Sequence, residues 1–187
     1  MTEQGKIRVY LASQIFAECW RDYNEKLAKR IEERFGDTIE LYVPQRNASI
    51  NDKTKCAGAE EIAVGDLDNN LNHDDIMVAV VDGDTPGIGT TVEIGYFARI
   101  CEEEKLKKGF TNKRIISLYT DSRECSHTAS DAKKDALHGF AESQFSYLNL
   151  LLVGILKRYG TMCYTIDDVI NELERALFEF ESEHAYE

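Results

Sequence analysis

The chain of 187 residues carries 34 acidic against 22 basic side chains, a net charge of −12, and is 43% hydrophobic. That length suits a single domain spanning residues 1–187 with a core large enough to need no staple. The negative balance repels polyanions and excludes nucleic acid and anionic membrane surfaces as partners, which leaves a small molecule. No apolar run reaches the roughly 18 residues of a membrane span, since residues 147–156 are interrupted by Asn149. The N-terminal residues lack the basic start and long apolar stretch of a signal peptide, so a cytoplasmic protein is expected.

Five cysteines (Cys19, Cys56, Cys101, Cys125, Cys163) lie singly, without a C-x-x-C pair, and the four histidines show no ligand spacing. Reduced thiols are expected, with neither a disulfide frame nor a metal site.

Residues 6–13 read as a buried strand. Trp20, Tyr23, Leu27, Ile31 and Phe35 then recur at helical steps. Residues 39–44 form a second strand stopped by proline, and residues 59–72 a weaker helix. Residues 75–83, "DIMVAVVDG", are apolar without alternation, as a strand covered on both faces requires. A glycine-bearing loop leads into a helix over 91–105, followed by a strand over 114–121. A polar insertion at 122–139 precedes a helix over 146–159 and a short fifth strand. Thr165 caps the last helix, whose first turn holds Asp167 and Asp168. Alternating strands and helices, with continuously apolar strands, predict an α/β protein: a flavodoxin-like, doubly wound, mainly parallel five-stranded sheet between helix layers.

Ligands of such sheets bind beyond the carboxyl ends of the strands. There the third strand ends in Asp82 and Gly83, a loop with Gly87 and Gly89 follows, and Glu93 stands alone in "GTTVEIGYFA". Placed in the first turn of its helix, Glu93 is either a carboxylate held ionised at the floor of a cleft by the helix dipole and neighbouring N–H groups, or the partner of Thr90 in a capping box.

The segments "VYLASQIF", "YVPQRN", "DIMVAVVDG", "GTTVEIGYFA" and "LYTDSR", in this order and at these intervals, resemble the nucleoside 2-deoxyribosyltransferase family over residues 7–154. The resemblance implies exchange of the base of a 2′-deoxynucleoside for a free nucleobase, without cofactor, through a deoxyribosyl ester on Glu93. Tyr10 orients that nucleophile. Phe16, Gln45 and Asn47 fall where the family contacts the base. Asp66, with Asp68 as rival, corresponds to an aspartate near the sugar or base. Asn149 corresponds to an asparagine that reaches into a neighbouring subunit, which implies a homo-oligomer with shared active sites. The chain departs from the family at Gly87, where an aspartate is usual. Asp84 is the nearest acid that could substitute, and the departure favours an N-glycosidase as the alternative; a binding module that keeps the fold and a nucleotide-like ligand without turnover is a third reading.

Overall fold

The computed structural model describes residues 6–48, 54, 58–83, 85–122 and 148–184. Five strands, β1 (Ile7–Ala12), β2 (Ile39–Tyr42), β3 (Ile76–Val80), β4 (Arg114–Leu118) and β5 (Gly160–Cys163), make one sheet in the order β2-β1-β3-β4-β5. Every pairing is parallel, so each strand returns through a crossover on one face or the other. The helices are α1 (Glu18–Phe35), α2 (Ala59–Ala63), α3 (Ile88–Lys108), α4 (Leu150–Tyr159) and α5 (Ile166–His184). The doubly wound α/β architecture expected from the alternation is the one found.

Strand alternation sorts the core into two layers. Val9 and Leu11 of β1 and Ile76, Val78 and Val80 of β3 face one side, where they pack with Leu27 and Ile31 of α1 and Leu173 and Leu177 of α5. Tyr10 and Ala12, with Met77 and Ala79, face the other side, against Ile94, Phe97 and Cys101 of α3 and Leu152 and Leu156 of α4. All five β3 residues are buried, which explains the unbroken apolar run that marked this strand in the sequence. The chain leaves β1 for β2 at one edge and returns to β3 on the far side of β1. A crevice between the loops after β1 and β3 follows from that reversal.

Local chemistry sets the ends of the elements. Thr165 and Asp168 form a capping box at the start of α5: Thr165 Oγ1 accepts from the Asp168 N–H at 3.1 Å, and Asp168 Oδ2 accepts from the Thr165 N–H at 2.9 Å. Gly109, at φ 84°, closes α3 after Lys105, Lys107 and Lys108, which complement the carbonyl end of the helix.

Four expectations are corrected. Helix α3 begins at Ile88 rather than Thr91, with Gly87 as its N-cap, so Glu93 lies in the second turn. The second helix keeps α geometry only over Ala59–Ala63 and then widens into a π-helical segment, Val64–Leu71, where the Asn72 N–H reaches back to the Leu67 carbonyl at 3.0 Å. Asn149 stands outside α4 as its N-cap, because its Oδ1 accepts from the Leu151 N–H at 2.9 Å and cannot do so from within the helix. The strand over 39–44 stops at Tyr42, where Pro44 starts a single 3₁₀ turn instead of ending the strand itself. All but the first residue of the 122–139 insertion, and Asp84, lie outside the described residues.

Candidate active site

Helix α3 buries Thr90, Ile94, Phe97, Ala98 and Cys101, a stripe at steps of three and four residues. Glu93 sits three residues after Thr90 and four before Phe97, at the edge of that stripe. Its side chain is thus carried in against the sheet. Tyr10, fully buried, points to the same face by strand alternation, and its hydroxyl donates to Glu93 Oε1 at 2.9 Å. The Tyr42 ring, on the adjacent strand, lies 5.3 Å from that of Tyr10 and backs it.

Neither of the two arrangements expected for Glu93 at a helix start is found. No side-chain cap closes the N-terminus of α3, so there is no capping box with Thr90. Beyond the first turn the dipole has faded, and burial dominates: it raises the Glu93 pKa to about 7, against the lowering by the Tyr10 hydrogen bond, with repulsion from Asp66 adding to the rise. A carboxylate this poorly solvated is more basic, and a better nucleophile, than one in water.

Glu93 forms part of the wall of a cavity of about 520 Å³ beyond the carboxyl ends of β1 and β3. Gln14, Phe16, Ile62, Asp66 and Ile88 also line it. Asp66 projects from the first turn of the π-helical segment, and burial raises its pKa. Asp68, the rival, is exposed, accepts from the Asn72 amide at 3.3 Å and does not line the cavity. The pairing of Glu93 with Asp66 therefore gives two carboxyl groups, both pushed toward neutrality, on one apolar cavity. Phe16 lines the cavity with 76% of its surface exposed, a free aromatic face.

Of the other predicted residues, the two amides after β2 lie elsewhere. Gln45 turns to α1, where its Oε1 accepts from Asn24 at 2.9 Å and its Nε2 donates to Glu25 at 2.8 Å. Asn47 donates to the Tyr42 hydroxyl at 2.9 Å. Neither lines the cavity. Asp82 is buried and accepts from the Thr120 hydroxyl at 2.7 Å, which ties the loop after β3 to the loop after β4. Gly83, at φ 102°, provides the left-handed turn out of β3. Gly87 and Gly89 line the cavity; Asn149 is exposed. Among the described residues, no group of three or more His, Cys, Asp and Glu is placed to hold a metal ion, and no helix is long and apolar enough to cross a membrane.

Three residues escaped the sequence reading. Ser13 lines the cavity with a buried hydroxyl that has no partner among the described residues. Gln14 follows it. Asn24, 1% exposed, donates through Nδ2 to the Gln14 carbonyl and to Gln45 Oε1, both at 2.9 Å, and so brackets the loops after β1 and β2. The signal for Asn24 was an amide on the apolar stripe of α1, three residues before Leu27. A second hollow, about 740 Å³, opens among Lys105, Lys113, Arg158 and Arg175. Arg158 is already paired with Glu102 at 3.1 Å and Arg175 with Glu172 at 2.5 Å, so the carboxyl pair makes the smaller cavity the candidate site.

No curated protein sequence matches this chain. A conserved protein of known structure from Enterococcus faecalis V583 is 34% identical, with a TM-score of 0.69 over 91% of this chain and 98% of that one. The 2-desoxiribosyltransferase from Leishmania mexicana shares the fold at 17% identity, with a TM-score of 0.54 over 91% of this chain and 97% of that one. Residues 9–137, which include Tyr10, Asp66 and Glu93, match the family model for nucleoside 2-deoxyribosyltransferase, and the chain belongs to that family.

Proposed function

We propose that the protein exchanges the base of a 2′-deoxynucleoside by way of a covalent deoxyribosyl ester on Glu93. The observation that carries this reading is the Tyr10 hydroxyl 2.9 Å from Glu93 Oε1 at a cavity that Asp66 also lines. Glu93 Oε attacks C1′ as the bond from C1′ to the base nitrogen breaks, and the positive charge that develops at C1′ is stabilised by the anion beside it. Tyr10 holds the carboxylate in one orientation, and its own pKa is raised, by burial first and then by Glu93, so its proton stays in place. Asp66, whose pKa is raised, supplies a proton to the departing base, a step worth about 10²–10⁴-fold. In the return step an incoming base attacks C1′, the ester bond breaks, Glu93 is regenerated as carboxylate and Asp66 takes a proton back. Two displacements retain configuration at C1′.

The reaction uses no metal or organic cofactor and suits nucleotide salvage in the cytoplasm. Exposed Ile88 at the cavity, and Leu150 and Leu151 beside Asn149, provide apolar surface for a second copy of the chain, in keeping with a homo-oligomer whose sites are shared. The test is incubation of a deoxynucleoside with a different free base. A new deoxynucleoside formed at a rate that depends on the acceptor base supports exchange. Free deoxyribose alone, or no turnover, refutes it.

A further inference from the structure

Gln14 and Gly87 compete for one space. A Cβ at position 87 would stand 2.9 Å from Gln14 Cγ, closer than such atoms settle, and 3.1 Å from Thr90 Oγ1, a tight contact that the threonine would have to ease. The backbone at Gly87, φ −51°, is open to any residue, so contact with these side chains is what keeps the position small. Gln14 is held from behind by Asn24, which binds its carbonyl. Its side chain, by contrast, is under-used: Nε2 lies 3.5 Å from the Thr85 carbonyl, too long for a strong bond, and Oε1 accepts nothing from the described residues.

Resting on the exchange reading above, we infer that Gln14 determines which nucleobase the cavity accepts, its carboxamide reading the base edge from the space an acidic side chain at position 87 would fill. A carboxamide offers a donor and an acceptor side by side, the complement of a nucleobase edge. The exposed ring of Phe16, two residues on in the same cavity wall, gives that base a face to stack on. An acid at 87 would offer acceptors alone and place a further negative charge beside Glu93 and Asp66, raising both pKa values further. The neutral amide avoids that charge while keeping a polar group at the base.

The experiment measures kcat/KM for two substrate pairs, deoxyadenosine with deoxyinosine and deoxycytidine with deoxyuridine, whose bases differ by an amino donor against an oxo acceptor. Gln14→Glu, which keeps the shape but accepts only, shifts preference toward the amino-bearing base of each pair by about tenfold or more. Gln14→Ala changes at least one ratio by about tenfold. Gly87→Ala moves the ratios in the direction of Gln14→Ala but adds nothing in the Gln14→Ala background, since it acts by displacing that side chain. An active native protein whose ratios stay within about twofold in both Gln14 variants overturns the assignment, as does full additivity of the two alanine changes. A native protein inert toward all four nucleosides refutes base exchange itself, and the Gln14 assignment with it.

Discussion

Replacing Glu93 by glutamine should make the protein more stable above neutrality while abolishing turnover. The native carboxyl titrates near 7 against an ordinary 4.5, because burial disfavours its charge. Its folded pKa is raised, so between these two values the folded state holds a proton that the unfolded chain has released. Stability must then fall as pH rises through that window and level off above it. The gap of about 2.5 units amounts to about 3 kcal/mol at high pH. Glutamine keeps the shape and can still accept from Tyr10 but never ionises. Asp74, also pushed to about 7 by burial, titrates in the same window in both proteins and cancels from the difference. Urea unfolding of native and Glu93→Gln proteins across pH 5–9 measures the effect: the advantage of the variant should grow by about 2–3 kcal/mol between pH 5 and pH 8. An advantage independent of pH, or a variant less stable than native at pH 8, would refute the claim that Glu93 is ionised at a cost in stability.

Native kcat/KM should rise with pH through about 7 as Glu93 ionises, and Tyr10→Phe, which removes the hydrogen bond that lowers that pKa, should move the rise up by about one unit. A profile unchanged in the variant would show that Tyr10 does not act on the nucleophile. Asp66→Asn removes the like charge, so the same limb should move down, while the rate of base departure falls about 10²–10⁴-fold in a pre-steady-state burst. An unchanged burst would remove Asp66 from proton transfer. Asn149→Ala should cost about 1 kcal/mol through loss of the α4 cap. A loss of kcat/KM well beyond that, together with altered oligomer mass, would mark the contribution to a neighbouring site that the shared-site proposal requires.

Glu93 was readable in the sequence as a lone acid in an apolar, glycine-bearing stretch, and Tyr10 only through the resemblance to the family; that the two side chains meet comes from the packing of β1 against α3. Asp66 was separable from Asp68 only in three dimensions, since the π-helical turn, shaped in part by buried Asn70 donating to the Gly65 carbonyl at 2.6 Å, decides which acid points inward. The help expected for the Glu93 charge from a helix start was misjudged for a related reason. Five residues separate it from the Gly87 N-cap, and where a helix begins depends on a loop with no capping side chain to announce it. Gln45 and Asn47 were expected at the base because they fall where the resembled family contacts it, yet in this fold they hydrogen-bond to α1 and to Tyr42. Gln14, whose proposed role rests on contact with Gly87 far along the chain, carries no local pattern at all.

Mass spectrometry of the intact protein, quenched in acid during turnover of a 2′-deoxynucleoside and then mapped by peptides, tests the central claim most directly. The account predicts a single added deoxyribosyl group on the peptide that holds Glu93, absent from Glu93→Gln. A deoxyribosyl group on Asp66, or none on a protein that is turning over, would contradict it.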